Sequence, residues 1–311
     1  MDVVHGLDAF PRQQVPVALA LGTFDGVHRG HQTLLLDVVR LAAERGGRAA
    51  ALTFDPHPLT VIAPPPEAFL LTTIAERLRL LAGLGIDLTV VVRFDAALRQ
   101  IDAAGWMEML ERGVGMADLV CGANYTFGRD RGGSVDLLRQ WAEARGIRVH
   151  VTPPVHVGGT LVSSTLIRRL LRSGDVREAA RCLGRWYALR GVVARGDARG
   201  RRLGFPTANL APPDEKLIPG SGIYAALAHT EAHAHHAAVS VGTRPTFGPG
   251  ATVVEAHLLE FSGELYGETL ELRFVQRLRD EIAFTSEAAL IRQMHEDIAE
   301  TARLLAHADA P

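Results

Sequence analysis

Apolar and polar positions change rhythm once along this chain, near residue 183, and the two rhythms predict two architectures. From Val15 to about Leu183, short apolar runs alternate with stretches whose apolar residues recur three or four apart. Val15–Leu21 reads as a buried strand, and Gly30–Arg45 as a helix with Leu34, Leu35, Val38 and Leu41 inward. Arg48–Phe54, Leu88–Arg93, Asp118–Cys121 and Arg148–Thr152 read as further strands. Thr73-x-x-Glu76 is a capping box that opens a helix ending near Gly83 or Gly85. Ala103–Arg112 and Ser134–Arg145 read as helices between the later strands. Such alternation predicts an α/β unit with a parallel sheet covered on both faces.

After Leu183 the period shortens to two. Trp186–Arg195, Tyr224–His229, Ala237–Val241, Val253–Phe261 and Thr269–Arg279 read as strands between Gly/Pro/Asp turns, which predicts an all-β antiparallel barrel. A terminal helix, Ser286–Leu305, carries Leu290, Ile291, Met294, Ile298 and Leu304 on one side. Helices Thr165–Arg172 and Val176–Leu183, with Gly174 between them, form the junction. The expected domains are residues 1–183 and 184–311.

Composition narrows the function classes. A chain of 311 residues suits about two domains. Its apolar runs are too short and broken to cross a bilayer, and no basic stretch followed by an apolar core opens the chain. Cys121 and Cys182 sit in apolar contexts, which predicts a reducing cytoplasm and no disulfide scaffold. A net charge of −2 gives no electrostatic case for nucleic acid. Lys216 is the one lysine. A P-loop is therefore absent, and lysine Schiff-base chemistry is nearly excluded. Phosphate handling must rest on arginine, histidine, backbone N–H groups and metal.

The richest stretch is Ala20–Leu35, ALGTFDGVHRGHQTLL. A parallel strand delivers its loop to the carboxyl edge of the sheet, where ligands sit. Gly22 and Gly26 let backbone approach a phosphate closely. The following helix offers free N–H groups and a positive dipole end. His28 and His31, three apart, share one side of that helix start. Two imidazoles there can donate hydrogen bonds to a departing pyrophosphate. Two surface histidines or an HxxH zinc pair are the alternatives. A second anion site is Ser163-Ser164-Thr165-Leu166-Ile167-Arg168, where Ser164 can cap a helix and Arg168 can address phosphate.

The later half holds a separate constellation. Gly204-Phe205-Pro206-Thr207-Ala208-Asn209 follows a run of arginines and glycines, Arg195–Arg202. In an extended segment Thr207 and Asn209 face the same way and offer hard oxygens to a hydrated Mg²⁺ on ATP. A polar β-turn is the plainer reading. Glu255 and His257 share a face of VEAHLLEF, on the inner or mouth face of the expected barrel. A carboxylate there costs desolvation unless it has a task or a partner.

Some signals fail their context. Gly220-Ser221-Gly222-Ile223-Tyr224-Ala225 fits GxGxxA but runs into a strand, so it is no dinucleotide fingerprint. His229–His236, with four histidines, reads as a loop between strands. Arg99, Arg129 and Arg131 could reach phosphate, with surface solvation as the default.

GTFDGVHRGHQTLL and SSTLIR resemble the two signatures of the nucleotidylyltransferase superfamily. With Thr53-Phe54-Asp55-Pro56-His57-Pro58, Gly122-x-Asn124-Tyr125-x-Phe127-Gly128 and Leu183-Gly184-Arg185, the set is similar to the prokaryotic bifunctional riboflavin kinase/FAD synthetase family. RGRRLGFPTANL, GTRPTF and EAHLLEFSGELYG resemble its kinase module. The resemblance spans roughly Val17 to Leu304. It implies a Rossmann-like nucleotidylyltransferase domain followed by a riboflavin kinase β-barrel. ATP would be held for adenylylation of FMN by His28, His31, Ser164, Thr165 and Arg168, with Gly22, Phe24, Gly26 and Asn124 about its phosphates. Pro56, His57, Pro58 and Phe127 would line the flavin pocket. In the kinase, Gly196, Arg202, Gly204 and Pro206 would meet ATP, Thr207 and Asn209 the metal, and Glu255 would be the base. Asn124 stands where many members carry Asp, and Ser240 where most carry Asn. The implied cofactor is Mg²⁺ with ATP as co-substrate. The implied partners are riboflavin, FMN, FAD and ATP, with no nucleic acid and no membrane; a homo-oligomer stays open. The alternatives are a nucleotidylyltransferase for another phosphorylated substrate with a regulatory flavin-binding barrel, and a flavin sensor without catalysis.

Overall fold

The computed structural model describes the chain apart from residues 10–13, 66, 114–115, 196–199, 201–202, 232, 244–251 and 307–311. It divides into two compact units, Met1–Glu67 with Thr72–Ser163, and Ala68–Leu71 with Ser164–Pro311.

The first unit is built on β1 (Asp2–His5), β2 (Val17–Leu21), β3 (Arg48–Asp55), β4 (Leu88–Arg93), β5 (Met116–Gly122) and β6 (Arg148–Thr152). Its helices are α1 (Arg29–Glu44), α2 (Pro58–Ile62), α3 (Ile74–Gly83), α4 (Ala96–Gln100), α5 (Ala103–Gly113) and α6 (Val135–Glu143). The six strands pair in parallel in the order β1-β4-β3-β2-β5-β6. Side-chain alternation divides the core between the two faces. Val17, Leu19, Leu21 and Leu52 face one cluster with Trp106 and Leu110. Ala18, Ala20, Ala49 and Ala51 face the other, where their small side chains admit Leu34, Leu35 and Val38 of α1. The expected parallel sheet is observed, and the capping box on α3 has both of its hydrogen bonds. Chain order steps one way from β2 to β4 and the other way from β5 to β6, so the winding reverses between β2 and β5. Ligands of such sheets sit at the carboxyl ends beside that reversal.

The second unit begins with α7 (Ser164–Arg172) and α8 (Val176–Leu183). A closed antiparallel barrel follows, made of β9 (Tyr187–Ala194), β10 (Ala208–Ala211), β11 (Gly222–His229), β12 (Ala234–Thr243), β13 (Thr252–Leu258) and β14 (Thr269–Arg279) in the order β10-β13-β12-β11-β14-β9. Helix α9 (Glu287–Leu305) packs on β11, β12 and β14. A two-stranded ribbon, β7 (His156–Val157) with β8 (Thr160–Leu161), lies in the first unit.

Three expectations are corrected. The barrel has a sixth strand, β10, because the extended segment at Asn209 pairs with both β9 and β13. His235 and His236 lie inside β12 and His229 ends β11; backbone pairing with Ala228, Leu227 and Ala234 outweighs the polar composition. On α9 the buried residues are Asp297, Thr301 and Leu305. Leu290, Met294 and Ile298 instead line a cavity. Among the described residues, no helix is long and apolar enough to cross a membrane.

Candidate active sites

Beyond β2 the chain turns through Gly22–His28. The backbone is left-handed at Phe24 (φ 51°), Val27 (φ 38°) and Gly26 (φ 82°). That region costs a non-glycine residue roughly 1–2 kcal/mol. A buried polar network holds the turn in place. The Asp25 carboxylate accepts from the Thr72 N–H and hydroxyl, both at 3.0 Å. The Gly26 N–H donates to the same hydroxyl at 3.0 Å. Arg77, buried on α3, lies 3.8 Å from Asp25 and donates to the Thr53 hydroxyl at 3.1 Å and the Phe54 carbonyl at 3.0 Å. Thr53 donates to the Thr23 carbonyl at 2.8 Å. Sequence reasoning missed Asp25, Thr72 and Arg77. The available signal was Arg77 standing four residues before Leu81, on the apolar face of α3.

His28 caps α1, its Nδ1 accepting the His31 N–H at 3.3 Å. An accepting ring nitrogen carries no proton, so the N–H of the neutral ring sits on Nε2. The two imidazoles stack at 3.6 Å with planes 16° apart, and the Phe24 ring meets His31 edge-on at 5.3 Å. The pair stands at the positive end of a helix of 16 residues.

The loops after β2 and β5 flank a cavity of about 970 Å³. Gly22, Phe24, His28 and His31 line one part of it, Asn124 and Phe127 another. His57 and Pro58 also line it, while Gly26 and Pro56 do not. His57 caps α2 by accepting the Leu59 N–H at 3.1 Å. Tyr125 stacks on Phe127 at 5.6 Å, and burial pushes its phenol up from the usual tyrosine range.

Ser164, Thr165 and Arg168 belong to the second unit, where α7 begins at Ser164. Arg168 is buried; its Nε donates to the Phe69 carbonyl at 2.8 Å, and its guanidinium lies 5.0 Å from the centre of the Phe69 ring. Lys216 is buried as well, donating to the Leu71 carbonyl at 2.8 Å over the Tyr187 ring. The one lysine therefore ties residues 68–71 into this unit.

On the barrel, strand register builds a single row. Asn209 pairs with Glu255, Glu255 with Ser240, Ser240 with Ile223, and Ile223 with Arg279. Directly opposed residues share a face, with Cβ atoms about 4.5–5.5 Å apart. Val254, Ala256 and Leu258 alternate with Glu255 and His257 and are buried. Apolar side chains fill the barrel, so Glu255 stands on its outer wall, which corrects the expected inner or mouth face. There it lines a cavity of about 540 Å³ with Thr207, Asn209, Ser240, Arg279 and Met294 of α9. Arg279 holds Asp297 of α9 through two hydrogen bonds, at 2.9 and 2.6 Å.

The turn before β10 is closely fitted. Phe205 donates its N–H to the Gly200 carbonyl at 2.8 Å, and a Cβ on Gly200 would lie 2.3 Å from the Phe205 carbonyl oxygen. The Pro206 carbonyl lies 2.9 Å from Nδ1 of His257, which must donate to it. His257 thus fixes the turn that carries Thr207. Gly204 is exposed with φ 90°. Gly196 and Arg202 lie outside the described residues, as do Arg244, Pro245 and Thr246. Among the described residues, no group of three His, Cys, Asp or Glu side chains could hold a metal by itself. Among the lining residues, Thr207, Asn209 and Glu255 offer a hydroxyl, an amide oxygen and a carboxylate on or beside the adjoining strands β10 and β13. That set suits a hydrated Mg²⁺ that takes its remaining ligands from phosphates.

Two family models match the chain: FAD synthetase over residues 10–166 and riboflavin kinase over residues 183–305. Proteins described as bifunctional riboflavin kinase/FMN adenylyltransferase are similar over nearly its whole length. One from Listeria monocytogenes is 33% identical, covering 91% of this chain and 90% of its own. One from Pseudomonas fluorescens is 33% identical, covering 98% of each. One from Escherichia coli is 32% identical, covering 94% of each. A crystal structure from Streptococcus pneumoniae, described as a macrolide-efflux protein, superposes with a TM-score of 0.89 at 28% identity, over 97% of this chain and 99% of that one.

Proposed function

This chain belongs to the bifunctional riboflavin kinase/FMN adenylyltransferase family, and from that premise we propose how its residues divide the two reactions. The enzyme phosphorylates riboflavin to FMN with ATP, then adenylylates FMN with a second ATP to give FAD and pyrophosphate. The relatives carry both activities in their names, so a regulatory barrel beside another transferase is not favoured.

We assign the kinase to residues 184–311 and the adenylyltransferase to residues 1–183. In the kinase, Glu255 takes the proton of the ribityl 5′-hydroxyl as that oxygen attacks the γ-phosphorus of ATP, and ADP leaves. The observation that carries this reading is the cross-strand pair of Glu255 with Asn209 on one cavity wall. Thr207 and Asn209 would hold Mg²⁺, and Gly196, Arg202, Gly204 and Pro206 would meet the nucleotide. The metal, when bound, offsets charge on the phosphoryl oxygens. His257 positions the Pro206–Thr207 turn through its hydrogen bond to the Pro206 carbonyl.

In the adenylyltransferase, an ionised oxygen of FMN attacks the α-phosphorus of ATP, so no protein nucleophile is needed. His28, with its proton on Nε2, donates to phosphate oxygens as negative charge grows on the leaving pyrophosphate. His31, stacked on His28, is proposed to do the same. Gly22, Phe24 and Asn124 line the phosphate site and Gly26 belongs to the turn that carries Phe24, while Ser164, Thr165 and Arg168 are assigned to ATP on the resemblance of SSTLIR to the family signature. His57, Pro58 and Phe127 hold the flavin, with Pro56 in the turn that leads to His57. We also place the enzyme in the cytoplasm, a reading supported by its two buried free thiols, Cys121 and Cys182.

The full chain, incubated with riboflavin, ATP and Mg²⁺ and analysed by flavin chromatography, tests this division. Glu255→Gln is expected to stop FMN formation and to leave conversion of supplied FMN. His28→Ala is expected to accumulate FMN. A folded variant of either residue that loses both activities would sink the assignment.

A further inference from the structure

Three arginines that neither reaction has used, Arg99, Arg129 and Arg131, line the cavity beside the β2 and β5 loops. Most arginines of this unit are neutralised nearby. Arg40, Arg45, Arg48, Arg145 and Arg148 each meet a carboxylate at 2.6 to 3.0 Å. Among the described residues, no carboxylate pairs with Arg99, Arg129 or Arg131. Asp130, between two of them, also lines the cavity, so the rim keeps an excess of positive charge.

The turn that carries two of these cations is firmly built. Phe127 and Gly133 exchange backbone hydrogen bonds at 3.2 and 2.8 Å, and a Cβ on Gly133 would lie 2.4 Å from the Phe127 ring. Asp130 (φ 54°) and Arg131 (φ 58°) are both left-handed, an uncommon pair without glycine that the surrounding bonds must hold. The Arg129 N–H donates to the Ile101 carbonyl at 2.6 Å, and Gly128 packs on the backbone of Ala103. Ile101 follows Arg99 by two residues. One hydrogen bond therefore stitches together the two segments that carry all three guanidinium groups. The neighbouring wall is apolar and aromatic, with Phe54, Leu98, Trp106 and Phe127.

We propose that Arg99, Arg129 and Arg131 recognise the phosphomonoester of FMN, so that the adenylyltransferase selects phosphorylated flavin over riboflavin. The aromatic wall suits a flat ring system but gives no reason for strained backbone that displays cations. A phosphate dianion attached to that ring system does. Guanidinium groups suit it because they meet phosphate oxygens in pairs. The inference rests on the assignment of this cavity to adenylyl transfer.

Arg99→Gln, Arg129→Gln, Arg131→Gln and the triple variant, made in the full chain, test it through the two Michaelis constants for FAD formation. The triple variant is expected to raise KM for FMN at least about tenfold, the scale of a lost charge-assisted contact. KM for ATP and the rate of riboflavin phosphorylation are expected to hold. Arg131→Lys is expected to recover part of the loss. A rise in KM for ATP with KM for FMN unchanged would assign the rim to the triphosphate and overturn the proposal. No change in either constant would overturn it too, leaving a solvated rim. Failure of the parent assignment has a different mark: His28→Ala would then make FAD normally.

Discussion

Asn209 on β10 lies directly opposite Glu255 on β13, and Ser240 of β12 flanks Glu255 on its other side. Antiparallel pairing thereby sets a carboxylate between an amide and a hydroxyl on one wall. Asn209→Asp would place a second carboxylate about 5 Å away, where like charges oppose each other across strands. FMN formation by that variant is expected to fall at neutral pH, with the acid limb of its pH–rate profile moved to higher pH. Asn209→Ala should lose rate without moving the limb. Matching pH profiles for the two variants would separate Asn209 from the work of Glu255.

His28 has two duties that substitution can part. Its ring caps α1 and also presents a donor. His28→Asn keeps a capping oxygen, whereas His28→Ala removes the cap and should cost about 1 kcal/mol. Both are expected to lower FAD formation by about a hundredfold or more, the scale of one lost oxyanion donor. Urea unfolding and FAD assays of the pair check this. An Asn variant with full activity would reduce His28 to a cap.

Arg77 offsets the buried charge of Asp25 and reaches the backbone at Phe54. Arg77→Met strands that carboxylate, and breaking a buried pair from one side costs about 3–5 kcal/mol. The first unit is expected to unfold at lower urea, with FAD formation lost in parallel. Kinase activity, read on the same sample, should persist.

Much of this is legible in the sequence, for reasons that individual elements show. Val17–Leu21 announces itself as a continuous apolar run because it is buried on both faces, and α1 by its 3.6-residue pattern because one side is buried. Strand β1 does not, since its four residues are mostly exposed and it gains its place only by pairing with β4. Strand β10 is as short, and one of its two partners, β13, lies far away in sequence. The histidine pair and the Thr207–Asn209 spacing are local facts and could be read. The outer position of Glu255 is legible too, because Val254, Ala256 and Leu258 are the apolar half of the same alternation and fill the barrel; the inner or mouth reading overlooks that polarity. The segments that carry Arg99 and Arg129 are joined by a backbone bond from Arg129 to Ile101 that no motif encodes.

Cys121 gives the first unit an alkaline weakness. It is fully buried on β5, and burial pushes its thiol from 9.0 up to about 11. Between those values the unfolded chain has lost the proton and the folded chain has kept it. The unfolded state then binds fewer protons, so stability falls as pH rises through that window. Two pKa units set a ceiling of about 3 kcal/mol. Tyr125, also pushed up, adds in the same direction. Urea midpoints from pH 8 to 10.5 should decline, and Cys121→Ala should flatten the slope. An unchanged slope in that variant would remove Cys121 from the account.

The clasp between Arg279 and Asp297 governs how α9 meets the kinase wall. Arg279 closes the row that contains Glu255, and Asp297 holds it by two hydrogen bonds while the Gln293 amide donates to Asp297 at 3.2 Å. Asp297→Ala would leave a guanidinium in the wall without its acid, at a cost of about 3 kcal/mol by analogy with other buried pairs. Glu255 is not touched by this change. KM for riboflavin is therefore expected to rise more than kcat falls, because Leu290, Met294 and Ile298 of α9 shape the cavity and not the proton transfer. Replacing both partners, Arg279→Leu with Asp297→Leu, should restore much of the stability, since an apolar pair of similar volume avoids the desolvation cost. If the clasp positions α9, the double variant regains its melting temperature and keeps part of the KM defect. A kcat loss without a KM change in Asp297→Ala would instead place the pair on the chemical step.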